Sequence, residues 1–343
     1  MSQKFPALTD MVDLFGCSCK LPENELEKLL EAIGGSYPEN VLGPGDDAAI
    51  IKINENIVLI KTVDFFTPIV DDPYLQGEIA ACNCTNDVFA MGGTVIAGVL
   101  AILGLPRGVS VDQSKKLLGG FRDFCDSIKA PLVGGHTIIN PWPIIGGAVT
   151  GVAHPKEIIY NSGAKPGDVL LLTKPVGIQP IMSASRIYEK NPEEIDSIVD
   201  SSDLQESVDI AITCMTTSNQ KAAEAVQVTG AHALTDVTGF GLYGHAAKIA
   251  DNSHVTLNIH TIPSIKNAPI LSDFFGFGLE KGISSETAGG LLISIAPDAK
   301  NDLIAELSKR EIPAYEVGFV TKYHDNPVLL HNPNIQEISS LTE

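Results

Sequence analysis

The fold is decided by residues 56–105, which read NIVLIKTVDFF (56–66), TPIVDD (67–72), PYLQGEIAACNCTNDVFAMGG (73–93) and TVIAGVLAILGL (94–105). The first piece is apolar and β-branched, the signature of a strand, and carries Asp64 near its end. The third opens on Pro73 and stops at Gly92-Gly93, which predicts a helix between them. The last is a second buried strand. Working outward, VSVDQSKKLLGGFRDFCDSIKA (109–130) has the spacing of an amphipathic helix, and PLVGGHTI (131–138) and IIGGAVTGVAH (144–154) read as strands. The order strand, helix, strand, helix, strand, strand predicts a mixed α/β layer.

Before it, PENELEKLLEAIGG (22–35) predicts a short helix with Pro22 at its first position, Leu26, Leu29, Leu30 and Ile33 on one face, and Gly34-Gly35 as its stop. Beyond it, NSGAKPGDVLLLTKPVG (161–177) mixes Gly and Pro with a fresh strand start, which sets a domain boundary near 155–165. The second half predicts helices over 180–190 and 203–228, a strand ALTDV (233–237), a helix GLYGHAAKIAD (241–251), and strands HVTLNIH (254–260) and GGLLISI (289–295). A segment ending near Val320 closes the pattern. The expected organisation is a mobile N-terminal arm (1–21), a first domain (22–157) and a second α/β domain (158–343).

The chain has 343 residues, 44% hydrophobic and 19% charged, enough for two globular domains. No apolar run is long enough to span a bilayer. The opening MSQKFPALTD lacks the basic start and apolar stretch of a signal peptide, so a cytoplasmic protein is expected. Basic residues number 23 and acidic residues 42, for a net charge of −19. No Lys/Arg cluster marks a nucleic-acid face, so neither nucleic acid nor membrane is an expected partner.

Several acids sit at element ends. Asp46 and Asp47 lie in GPGDDAAII, Asp64 ends a strand, Asp236 follows ALT, and Asn83 precedes Asp87 by one helical turn. One acid at such a place is a cap or a solvated charge. Together they suit Mg²⁺, which takes hard oxygen ligands and substrate phosphates. GFGLYG (239–244) matches a dinucleotide fingerprint, but the acid wanted about 20 residues on is missing from VTLNIH. Its glycines then either face a phosphate with free helix amides or permit tight packing. No Walker A motif occurs.

Cys17 and Cys19, like Cys82 and Cys84, are spaced C-x-C, not the C-x₂₋₄-C of structural zinc sites. Cys82, Cys84, Cys125 and Cys214 read as small core residues. Cys17 stands in FGCSCKLPE (15–23), with Lys20 three residues on, and a nearby ammonium favours the reactive thiolate.

The stretches GCSCK, GPGDDAAI, TVDFFTPIVDDP, NCTNDVFAMGG, VGGHTI, NSGAKPGD, LLTKPVG and ALTDVTGFGLYGH, in this order, resemble the selenophosphate synthetase (selenide, water dikinase) family from about Phe15 to about Val320. The resemblance implies an aminoimidazole ribonucleotide synthetase-like fold: two α/β (α+β) domains with mixed sheets covered by helices, and N-terminal domains pairing in a homodimer. It implies conversion of ATP, selenide and water to selenophosphate, AMP and orthophosphate, with Mg²⁺ required and K⁺ stimulating. Carried over by motif, Cys17 handles the selenium nucleophile and Lys20 reaches the phosphates. Asp47, Asp64, Asp87 and Asp236 match metal-binding aspartates, Asn83 belongs to the same site, Asp64 and Asp87 also face the nucleotide, and Gly134, Gly135, His136 and Thr137 line its pocket. Two places depart from the family pattern. Where the family reads Asp-Pro-Gln-Thr-Ser-Gly-Gly-Leu-Leu, residues 284–292 read SSETAGGLL, and Ile178-Gln179 replace the usual Thr-Gly. They leave open a paralogue acting on another nucleophile such as sulfide, and a non-catalytic ATP-binding or selenium-carrier protein.

Overall fold

The computed structural model describes residues 7–21, 23–33, 38–39, 41–43 and 45–341. Two compact units divide the chain: Met1–Val88 with Gly93–Lys156, and Phe89–Gly92 with Glu157–Glu343.

The first unit opens with single 3-10 turns at Thr9–Met11 and Cys17–Cys19, then α1 (Glu23–Ile33). The expected start of this helix at Pro22 and its stop at Gly34-Gly35 lie outside the described residues, as does the side chain of Ile33. Leu26 and Leu30 are half-buried but Leu29 is exposed, so the apolar stripe is only partly covered within the chain. There follow β1 (Val41–Leu42), β2 (Ala49–Lys52), β3 (Val58–Phe66), α2 (Pro73–Ala90), β4 (Val95–Leu105), α3 (Val111–Ser127), β5 (Leu132–Ile139) and β6 (Ile144–Ala153). The sheet order is β1-β2-β3-β6-β4-β5. Among the described residues only β4 and β5 of this sheet run parallel, joined by the crossover helix α3, as a parallel pair requires.

Strand β3 alternates as its sequence predicts. Val58, Ile60, Asp64 and Phe66 face inward, while Lys61, Val63 and Phe65 face out. Helix α2 covers the inner face. Its Cys84 and Val88 meet Gly147 and Gly151 of β6, where a Cβ would stand 3.1 Å from Cys84 Sγ and 2.6 Å from Val88 Cγ1. These glycines let the helix lie close enough for its polar side chains to reach β3.

The second unit contains β7 (Val169–Leu172), α4 (Ile178–Lys190), α5 (Pro192–Asp196), α6 (Ser201–Thr216), α7 (Gln220–Thr229), β8 (Ala233–Asp236), α8 (Gly241–Ser253), β9 (Val255–Ile265), α9 (Ala268–Phe275), β10 (Leu291–Ile295), α10 (Lys300–Lys309), β11 (Tyr315–Lys322) and β12 (Val328–Ile338). Its sheet runs β12-β9-β11-β7-β10-β8, with only β12 and β9 parallel. Every residue of β8 and β10 is buried. Leu234 and Ile293 pack there with Leu171, with Val226 of α7 and with Leu303 and Leu307 of α10. The helix expected over 203–228 is two helices. Lys174 Nζ donates to the carbonyls of Cys214 and Thr217 at 2.9 and 2.6 Å, so the end of α6 bonds to an ammonium instead of continuing into α7. Among the described residues no helix is long and apolar enough to cross a membrane.

Candidate active site

The segment preceding α1 is tied to the first unit by its backbone. Thr9 N–H donates to Asp71 Oδ1 at 2.8 Å, and Gly16 N–H donates to Thr67 O at 3.0 Å. Thr67 Oγ1 returns a bond to Leu14 O. Gly16 has φ +52°, a conformation that favours glycine, and it turns the chain into Cys17–Cys19. This docking carries Cys17 onto the end of β3, where its side chain is fully buried.

Four of the residues singled out by sequence meet there. Cys17 Sγ donates to Asn83 Oδ1 at 3.3 Å, and Asn83 Nδ2 donates to Asp64 Oδ2 at 2.7 Å. Lys20 Nζ donates to the same oxygen at 2.9 Å. Asp64 can only accept, so it is the Asn83 amide nitrogen that faces it and the amide oxygen that faces the thiol. One turn along α2, Asp87 accepts from Thr62 Oγ1 of β3. The Asn83–Asp87 spacing thus matches two inward residues of β3, Asp64 and Thr62. Burial works to lower the Lys20 pKa, but Asp64 first, then Cys17 and Asp87, outweigh it and hold the ammonium well above the ordinary lysine value. Cys84, also on α2, is a different kind of thiol: burial, then Cys125 and the nearby acids, push it well above the usual range, so it stays protonated.

The other candidates lie on other elements. Asp47 accompanies Asp46, whose Oδ1 accepts its backbone N–H at 2.9 Å. The register of β2 on β3, Ala49 opposite Lys61, leads Asp47 toward the Asp64 end of β3. Gly134, Gly135, His136 and Thr137 lie on exposed β5, paired with Leu100–Leu103. That is three strand spacings from β3, roughly 14 Å. Asp236 ends β8 in the second unit, buried, opposite Leu291. Among the described residues no three His, Cys, Asp or Glu side chains are gathered so as to hold a metal ion. The oxygen donors of β3 and α2 nevertheless fit a hard cation, because a cation, the Lys20 ammonium, already sits among them. A divalent ion held there would need other oxygens, which substrate phosphates supply.

In the second unit, GFGLYG is resolved in favour of packing. Gly241 has φ +69°, and a Cβ there would stand 2.5 Å from Gly282 O and 2.7 Å from Ser284 O. Tyr243 N–H, in the first turn of α8, already donates to Gly282 O. Two residues to which sequence reasoning gave no role, Glu286 and Lys174, meet at the segment 284–288. Glu286 is buried, with Oε1 and Oε2 accepting from Gly177 and Ile178 N–H at 2.8 and 3.0 Å. Lys174 Nζ, besides its two bonds to the end of α6, donates to Ala288 O at 2.7 Å. Gln179 Oε1 accepts from Ser285 N–H at 2.8 Å. The two departures from the family pattern, 178–179 and 284–286, therefore contact each other directly. The sequence signal for Glu286 was an acid followed at once by a buried Thr-Ala-Gly-Gly-Leu-Leu run.

Models of the AIR synthase related protein match this chain, the N-terminal domain over residues 45–153 and the C-terminal domain over 165–329. The selenide, water dikinase of Methanocaldococcus jannaschii is 48% identical, covering 94% of this chain and 95% of that protein. That of Methanococcus maripaludis is 46% identical, covering 90% and 94%. Among solved structures, AaThiL complexed with AMPPCP and TMP aligns with a TM-score of 0.68 at 18% identity, covering 94% of this chain and 98% of that one.

Proposed function

The chain belongs to the selenide, water dikinase family, and from that premise we propose how its own residues carry out the reaction. It makes selenophosphate, taking ATP, selenide and water to selenophosphate, AMP and orthophosphate. The observation that carries the assignment of roles is the single carboxylate, Asp64, that joins a thiol through Asn83 and an ammonium directly.

Cys17 handles the selenium nucleophile. Lys20, whose ammonium stays charged, moves to the ATP phosphates and neutralises charge there. The arm 1–21 carries both residues, and its docking excludes water, the competing acceptor, from the phosphoryl group. Residues 22–157 form the ATP- and metal-binding domain and 158–343 the second α/β domain. Asp47, Asp64 and Asp87 hold Mg²⁺ with Asn83 in the same site, and Asp236 is a metal-binding aspartate of the second unit. Bound Mg²⁺ supplies charge stabilisation on the transferring phosphoryl group, and K⁺ stimulates the enzyme. Thr62 fixes the Asp87 carboxylate by its hydroxyl bond. Asp64 and Asp87 also face the nucleotide, and Gly134, Gly135, His136 and Thr137 line its pocket. AaThiL, which shares the fold, was solved with AMPPCP, an observation in keeping with an ATP site.

The enzyme works as a homodimer paired through its N-terminal domains. The support is an exposed apolar face on the first sheet, with Val63 and Phe65 of β3 and Val95 and Leu100 of β4 between 45 and 59% exposed. Its place is the cytoplasm, where a reducing medium suits six free cysteines. Chromatography of nucleotide products tests the scheme. AMP should form only with selenide present, and Asp64→Asn should lower its rate by at least about a hundredfold. AMP release that ignores selenide would overturn it.

A further inference from the structure

The bond from Cys17 to Asn83 and the seat of Lys20 on Asp64 have a joint consequence. Asp64 Oδ2 accepts from Asn83 Nδ2 at 2.7 Å and from Lys20 Nζ at 2.9 Å. A carboxylate oxygen has two lone-pair directions, and both are taken. An ammonium and a divalent cation cannot share that oxygen without a like-charge contact. A divalent cation that takes this oxygen therefore displaces Lys20 from it.

Lys20 is short-tethered to the thiol. Its N–H donates to Cys17 O at 3.2 Å, closing the turn Cys17–Cys19. On the other side of Cys17, Gly16 is bonded to Thr67 and takes a glycine-favoured backbone conformation. The turn between Gly16 and Lys20 is one short unit, hinged at a glycine and latched by an ammonium. Inside it Cys17 is fully buried, with its S–H directed to Asn83 Oδ1. Asn83 touches both ends of the latch, the thiol through its oxygen and the carboxylate through its nitrogen.

We infer that Lys20 and Asn83 seal the Cys17 thiol in a resting state, with Lys20 standing in for the metal on Asp64, and that release of Lys20 when Asp64 binds a divalent cation exposes the thiol. Asn83 is thus a positioning residue for Cys17. The device keeps the selenium-handling thiol from oxidants and alkylating agents until the site is loaded. The inference rests on the reading of Asp64 as a metal-binding carboxylate.

Alkylation of the full-length protein by iodoacetamide tests it, with the modified peptide resolved by fragmentation. Cys19, two residues away and half-exposed, is the internal reference. In chelator, Cys17 should react at least about tenfold more slowly than Cys19, the factor expected from one charge-assisted hydrogen bond. Mg²⁺ alone should raise the Cys17 rate by about the same factor and leave Cys19 unchanged. Lys20→Met, a change at a partly exposed position, should reproduce the rise in chelator. Mg²⁺ binding is followed in parallel by calorimetry on the unmodified protein and on Asp64→Asn. If Mg²⁺ binds in an Asp64-dependent way and Cys17 stays protected, the seal is wrong while the metal reading stands. If the Asp64→Asn protein binds Mg²⁺ as well as the unmodified one, the metal reading fails and the seal with it. Protection that survives Lys20→Met also overturns the seal.

Discussion

Glu286→Gln should change how stability depends on pH. Glu286 is buried, and burial pushes its carboxyl up to about 8, against the opposing pull of the Gly177 and Ile178 N–H bonds. Its ordinary value is 4.5. Between these values the folded chain binds a proton that the unfolded chain has released. Stability from this group is thus fully present below about pH 4.5 and falls as pH rises, until the folded value near 8 is passed. The slope is about 1.4 kcal/mol per pH unit, so from about pH 5.5 to about 7.5 the loss is about 3 kcal/mol. Glutamine cannot titrate, so the variant lacks this slope. For a domain of 150–250 residues, each kcal/mol is about 2–4 °C in Tm. Melting curves of the two proteins should converge or cross by roughly 6–12 °C over that range. Parallel Tm profiles would refute the reasoning. They would mean that Glu286 is already ionised in the fold, with the amides at the start of α4 outweighing burial.

Other substitutions test the packing around the same segment and the exposed face of the first sheet. Gly241→Ala puts a Cβ 2.5 Å from Gly282 O at φ +69° and should cost about 2–4 kcal/mol, read from urea midpoints. Lys174→Met strips the carbonyls of Cys214, Thr217 and Ala288 of a shared donor in the interior and should destabilise by about 3 kcal/mol or more, seen as a lowered Tm. Phe65→Asp on the outer face of β3 should convert a dimer to a monomer in sedimentation equilibrium while leaving Tm within a few degrees, because Phe65 is 45% exposed within one chain.

The strands and helices that carry the site were legible because their patterns are local. The period of two in β3 places Asp64 inward, and the helical period of α2 aligns Asn83 with Asp87. What sequence could not show depends on distant partners. Strand β12 is not legible in the sequence, because Asn332-Pro333 interrupts its run. The strand continues through an irregularity between Leu330 and Asn334, supported by its parallel neighbour β9. The break between α6 and α7 is set by Lys174, 40 residues from Cys214 in sequence. The sequence places Cys17 three residues before Lys20. Its burial and its bond to Asn83 arise from the backbone docking of Gly16 on Thr67, which no spacing rule contains. Glu286 runs against the rule that acids stay outside, and its place is set by two amides more than 100 residues earlier.

The central claim is that this chain transfers a phosphoryl group from ATP to selenide. Phosphorus NMR of the protein with ATP, Mg²⁺ and selenide enriched in the spin-½ selenium isotope tests it most directly. The account predicts a new phosphorus resonance split by coupling to selenium, together with AMP and orthophosphate, and the loss of all three with Asp64→Asn. A spectrum that shows only ADP and orthophosphate, or no phosphorus coupled to selenium, would contradict it.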